Sequence, residues 1–244
     1  MFTRNKTMDN KLSANHIKAI RSLSNKKYRD QAGLFVVEGE KMVSEALASD
    51  YQVVEVWRRD DIGYDAMARI SQLSTPSPVL AVVKAKPLKD DVACGGLCLA
   101  LDGVRDPGNF GTIIRLADWF GADVVYASED SVELYNPKTV QATMGAIFRK
   151  KVVYCDIPSL CRRFKEAGLP VYGTFLDGED IYGQTLSKEG LIIMGNESAG
   201  ISEAVAEQVD RRLLIPSFSN GPTAESLNVA VATAITLSEF RRRQ

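Results

Sequence analysis

The stretch Leu101-Asp-Gly-Val-Arg-Asp-Pro-Gly-Asn-Phe-Gly-Thr-Ile-Ile-Arg115 reads as the end of a strand, a glycine-rich turn and the start of a helix. Gly103, Gly108 and Gly111 let the backbone bend and let a second molecule come close. Asn109 and Arg115 then fall near the start of that helix, where polar groups meet a ligand or RNA rather than core. Two more marked turns follow, in Leu191-Ile-Ile-Met-Gly-Asn-Glu-Ser-Ala-Gly200 and Ile215-Pro-Ser-Phe-Ser-Asn-Gly-Pro-Thr-Ala-Glu-Ser-Leu-Asn-Val229. Glu197 comes just after a strand and Gly195, at the mouth of a sheet where ligands bind. Each polar residue also has a plainer use. Arg115 suits a surface salt bridge, Glu197 a helix N-terminus and Ser226 the N-cap of the last helix. Asn228, inside that helix's first turn, is harder to explain as structure.

The elements that must position these residues alternate. Strands are expected at 97–102, 123–127, 152–155, 170–175, 191–195 and 212–216, each a short apolar run suited to a parallel sheet buried on both faces. Helices are expected at 109–120, where Ile113, Leu116, Ala117 and Phe120 recur at helical spacing before Gly121, and at 226–240. This alternation means a parallel α/β sheet. Upstream, residues 12–48 read as a helix, a basic loop, a strand at Leu34–Val37 and a further helix after Glu38-Gly39. Further strands fall at Val53–Trp57 and Val79–Val83. The charged, proline-bearing segment 84–95 reads as a linker, giving a small α/β domain at 1–88 and a larger one at 96–244.

Composition narrows the function classes. Of 244 residues, 45% are hydrophobic and 25% charged, as in ordinary globular proteins. No run reaches the roughly 20 apolar residues of a membrane span, and the N-terminal ten residues carry no apolar signal core. Four cysteines without a CxxC pair and a single histidine, His16, leave no zinc motif, so no metal is expected. Buried reduced thiols fit a cytoplasmic protein. The net charge of −1 excludes a protein that coats nucleic acid non-specifically. A local patch is another matter: residues 1–30 hold Arg4, Lys6, Lys11, Lys18, Arg21, Lys26, Lys27 and Arg29 against Asp9 and Asp30, a net +6. RNA contact is expected there, at Lys26, Lys27 and Arg29 in particular. Dinucleotide, Walker, nucleophile-elbow and zincin motifs are missing.

Taken together and in order, the three marked turns resemble the signature motifs of the SpoU/TrmH family of RNA ribose 2′-O-methyltransferases, in the knotted SPOUT superfamily. Ser22–Arg29 through Phe35–Glu40 resembles the substrate-binding domain that precedes the catalytic domain in many members, and Tyr135–Phe148 its middle segment. Many relatives carry an arginine where this chain has Gln141, and the loop Ser217–Glu225 is longer here. The resemblance implies an α/β fold with a deep C-terminal trefoil knot and a homodimer through the catalytic domain. It implies S-adenosylmethionine as methyl donor, with Asn109, Arg115, Glu197, Ser226 and Asn228 at the active site. It places the cofactor against Thr174, Gly195, Ile215 and Leu227, so that a bulky residue at Gly195 is expected to fill the pocket. An arginine, with a pKa above about 12, suits a phosphate clamp and alkoxide stabiliser better than a general base. The two-domain build favours ribosomal over transfer RNA, and resistance methyltransferases share it. The alternatives are a transfer-RNA ribose methyltransferase and a non-catalytic RNA- or ribosome-binding protein that keeps the fold.

Overall fold

The structure is a computed structural model that describes residues 12–88, 92–222 and 224–242. Arg4, Lys6, Asp9 and Lys11 of the basic N-terminal stretch lie outside the described residues, as does Arg243. The chain divides into two compact units, Met1–Lys86 and Pro87–Gln244.

In the first unit the elements run α1 (Ala14–Ser22), α2 (Lys26–Ala32), β1 (Leu34–Glu38), α3 (Glu40–Ala48), β2 (Val53–Arg58), α4 (Arg59–Ile62), α5 (Tyr64–Ile70) and β3 (Val79–Lys84). The antiparallel sheet has the order β1-β3-β2, with β3 buried at its centre. Strand β2 alternates half-buried and exposed residues, the pattern of an edge strand with one solvated face. Ile17, Ile20 and Leu23 of α1 and Met67 and Ile70 of α5 pack on Val36, Leu80 and Val82 of the sheet.

The expected basic loop at 26–32 is instead helix α2. Asn25 caps it by accepting from the Lys27 amide, and Gly33, with φ of 63°, ends it in the left-handed region. This folding turns Arg29 inward. It is 4% exposed, and its Nη1 donates to the carbonyls of Leu23 and Ser24 at 2.8 Å each. Arg29 thus ties the α1–α2 turn together and does not face a phosphate.

The second unit runs β4 (Leu97–Leu101), α6 (Pro107–Trp119), β5 (Val124–Ala127), α7 (Pro137–Ala142), β6 (Lys151–Tyr154), α8 (Ile157–Glu166), β7 (Val171–Asp180), β8 (Gly190–Met194), α9 (Glu203–Ala206), β9 (Arg211–Leu214) and α10 (Val229–Arg242). The six strands are parallel in the order β6-β5-β4-β8-β7-β9. Central strands β4 and β8 are buried along their whole length, as continuous apolar runs require. One face packs Cys98, Ala100, Leu191 and Ile193 against Leu160, Cys161 and Phe164 of α8. On the other, Tyr172 meets Phe240 of α10 edge-on at 4.9 Å. Burial pushes the Cys98 and Cys161 thiols up to about 11 and 12, so they stay protonated and inert.

Helices α6 and α10 pack on each other, and the tail is fastened at both ends. Near its C-terminus Arg241 donates to the carbonyls of Phe120 (2.7 Å) and Gly121 (2.6 Å), which α6 leaves without helical partners. Gly111 serves the packing of α6 on α7 and not a ligand: a Cβ there would sit 2.5 Å from the Thr139 carbonyl oxygen.

Candidate active site

The site forms where β4 and β8 end side by side. Leu101 pairs with Met194, and the Asp102 amide donates to the Met194 carbonyl at 2.9 Å. The chain after β4 turns at Gly103, with φ of 70°, and enters α6 with Asp106 as N-cap and Pro107 in its first turn. The chain after β8 passes Gly195 and folds back on itself. Asn196 exchanges backbone hydrogen bonds with Gly200, and its Oδ1 accepts from the amides of Ser198 and Ala199 at 2.9 Å each. Its Nδ2 reaches across to the Gly103 carbonyl at 2.7 Å. Asp102 makes a second tie between the loops, its Oδ2 accepting from the Ser202 amide at 2.7 Å. Sequence reading passes over Asp102 and Asn196, although short polar side chains flanking glycine at strand ends are the usual signal of such turns.

This clamp delivers four donors to Glu197. Its Oε1 accepts from the Asp106 amide (3.0 Å) and Asn109 Nδ2 (3.1 Å); its Oε2 accepts from the Arg105 amide (3.2 Å) and Asn196 Nδ2 (3.4 Å). Partial burial pushes the carboxyl up, but the Asn109 side chain and the surrounding backbone amides outweigh it and hold it below the usual carboxylate range. Glu197 is therefore ionised at neutral pH.

An ionised carboxylate only accepts, so Asn109 must turn its amide nitrogen to Glu197 and its Oδ1 away. That Oδ1 accepts from Asn228 Nδ2 at 2.9 Å. Asn228 Oδ1 in turn accepts from the amides of Ala230 (2.9 Å) and Val231 (3.3 Å). The polarity of the whole chain Glu197–Asn109–Asn228 is thus set by a carboxylate at one end and helix amides at the other. Each asparagine keeps one further N–H for an outside acceptor.

The last helix starts at Val229, three residues later than its expected start, and Asn228 is its N-cap. The capping role expected of Ser226 belongs to Asn228. Ser226 is exposed and lines the adjoining cleft. Arg115 sits six residues beyond Asn109 on an exposed stripe of α6 with Thr112 and Trp119, about 9 Å along the axis. Among the described residues its side chain has no hydrogen bond or ion pair, so it stands apart from the Glu197 cluster within one chain.

Beside the cluster lies a cleft of about 420 Å³, within the range of small-ligand sites. Thr174, Gly195, Ile215 and Leu227 all line it, with Phe175, Leu176, Ile201, Leu213 and Ala232 as its apolar wall. The lip at 175–178 is an excursion of β7, in which Thr174 and Glu179 both pair with Leu213. Arg212 pins it, stacking 3.5 Å over the Phe175 ring and pairing with Asp177. A Cβ on Gly195 would collide with the Gly200–Ile201 backbone. A bulky residue there breaks the loop before it fills the cleft.

Among the described residues no group of His, Cys, Asp and Glu could hold a metal ion, and no helix is long and apolar enough to cross a membrane.

The SpoU rRNA Methylase family matches residues 96–238, and the MRM3-like substrate binding domain matches residues 14–64. The 23S rRNA (guanosine(2553)-2′-O)-methyltransferase RlmP of Bacillus subtilis is 34% identical over 92% of this chain and 95% of its own. An RNA methyltransferase structure of the TrmH family from Porphyromonas gingivalis superposes with a TM-score of 0.85 at 40% identity, covering 96% of this chain and 99% of that one. An AdoMet-bound rRNA methyltransferase from Sinorhizobium meliloti gives 0.83 at 30% identity, covering 96% and 97%.

Proposed function

The chain belongs to the SpoU rRNA methylase family, and from that premise we propose that it methylates a ribose 2′-hydroxyl in ribosomal RNA, using S-adenosylmethionine. The observation that carries this reading is the oriented Glu197–Asn109–Asn228 chain beside a cleft that Glu197 and Gly195 line.

The cleft fits the cofactor. It is lined by Gly195, which offers only its backbone, and by the apolar side chains of Phe175, Leu213 and Ile215, which suits an adenosine. Thr174, Gly195, Ile215 and Leu227 would hold it. When bound, S-adenosylmethionine supplies an electrophilic methyl group on a sulfonium and a neutral leaving group. The residues must bring a ribose oxygen in line and stabilise the charge it develops as its proton leaves. The spare N–H groups of Asn109 and Asn228 would serve this. Glu197, saturated by four donors and held ionised, orients Asn109 and is no general base. Arg115, exposed and without a partner among the described residues, clamps an RNA phosphate and stabilises the alkoxide.

We read the second unit as the dimerising one and its last helix as a threaded tail. Supporting this, Trp119 at 82% and Val231 at 49% exposure lie on the packed helices α6 and α10. A second copy covering this surface would also bring Arg115 to the partner's site. A monomeric mass by light scattering at micromolar concentration would contradict it.

The test separates binding from chemistry. Arg115→Ala should bind S-adenosylmethionine with wild-type affinity by calorimetry yet lose about 10²–10³-fold in methyl transfer to 23S rRNA. Wild-type transfer by this variant would remove Arg115 from the mechanism, and a wild-type chain that binds no S-adenosylmethionine would overturn the reading itself.

A further inference from the structure

The first unit has its own cleft, of about 440 Å³, between α1, α2 and the open end of the sheet. Its floor is Leu34 and Val82, and its walls include His16, Tyr28, Gln31 and Glu55. Glu55 is half-buried and unevenly used. Its Oε2 meets both His16 Nε2 and Trp57 Nε1 at 2.8 Å, while Oε1 has no partner among the described residues. A half-buried carboxylate oxygen beside a cleft wants a donor from outside. Tyr28, on the wall, is 47% exposed and offers an aromatic face.

The surroundings say which molecule brings that donor. Lys18 lies one helical turn before Ser22 on α1, and Lys27 one turn before Gln31 on α2; Ser22 and Gln31 both line the cleft. Both lysines are exposed and form no ion pair among the described residues. Free cations at the rim, an aromatic face on the wall and an acceptor within make the pattern of single-stranded RNA binding. Phosphates meet the lysines, a base stacks, and its edge is read inside. A carboxylate selects an amino-bearing edge, as Glu and Asp do with the cytosine amine.

We propose that this cleft takes one unstacked, amino-bearing nucleobase of the RNA, stacked on Tyr28 with its amine donating to Glu55 Oε1. The proposal rests on the reading that the protein acts on RNA.

The test uses the full chain labelled with ¹⁵N at its two tryptophans. The indole resonance lost in Trp57→Phe reports on the Trp57–Glu55 hydrogen bond. Octamers of adenylate and uridylate are the probes. The adenylate octamer should shift the Trp57 resonance and bind more tightly than the uridylate one. Tyr28→Ala should weaken adenylate binding about tenfold, and Tyr28→Phe should restore it. Lys18→Ala with Lys27→Ala should weaken both octamers alike and reduce the salt slope by about 1.4. If the lysine variant weakens binding but Trp57 never shifts and Tyr28→Ala is neutral, the base cleft is wrong and the unit still holds RNA. If the lysine variant changes nothing either, the unit does not hold RNA and both ideas fall.

Discussion

Two carboxylates, one in each unit, receive hydrogen bonds and respond in opposite directions. Glu38 ends β1 in the first unit at 3% exposure, accepting from Ser71 Oγ (2.6 Å) and the Gln72 amide (2.7 Å). Burial dominates, and its pKa is raised despite both donors. Glu197 in the second unit is less buried and has four donors, and its pKa is lowered. The difference teaches what each is for. Glu38 binds a strand to the end of α5 and is tolerated as a cost of packing. Glu197 is kept charged, and its charge sets the orientation of Asn109 and through it Asn228.

The comparison breaks hardest where that orientation is lost. Asn109→Ala cuts the chain in its middle and removes an oriented donor. Methyl transfer should fall about 10²–10³-fold, with the melting temperature nearly unchanged. Single-turnover kinetics checks the first and calorimetric scanning the second. Glu197→Gln keeps the shape but removes the charge and sets an amide –NH2 against two of the four donors. The loss of about 1.4 kcal/mol corresponds to about tenfold in rate. Wild-type rates would mean the charge does not orient the site.

Glu38→Ala should do the reverse. It strands the Ser71 hydroxyl and Gln72 amide at a cost of about 1–3 kcal/mol, so melting drops several degrees. The second unit's cofactor affinity should stay the same. The smallest effect is the most diagnostic. Because the Glu38 pKa is raised on folding, its contribution is fully present below about 4.5 and declines as pH rises through its folded value. For Glu197 the pKa is lowered, so its contribution is present above about 4.5 and is lost as pH falls through its folded value. Melting of Glu38→Gln and Glu197→Gln relative to wild type, followed over about pH 3–7, should therefore slope in opposite senses.

Much of this was legible in the residues. Each strand of the parallel sheet begins within one residue of its expected start; β4 and β8, buried on both faces, are apolar almost throughout, while the edge strands β6 and β9 open on exposed Lys151 and Arg211. The site residues at strand ends were legible because glycine and short polar side chains mark such turns. Partnership was not legible. Arg29 looks like its neighbours Lys26 and Lys27, and only the α1–α2 turn, with its two inward carbonyls, makes it structural. Gly111 resembles Gly103 in sequence, but one faces a neighbouring helix and the other a loop. Asn228 both caps α10 and bonds to Asn109, partnerships that a single sequence position does not separate.

In the proposed reaction the oriented chain beside the cleft directs a methyl group to a ribose oxygen. The most direct measurement is to incubate the protein with unmodified 23S rRNA and methyl-labelled S-adenosylmethionine, digest the RNA to nucleosides and locate the label by mass spectrometry. The account predicts label on the ribose of a 2′-O-methylnucleoside resistant to alkali, and its loss in Asn109→Ala. Label on a base, or undiminished ribose labelling by Asn109→Ala, would contradict it.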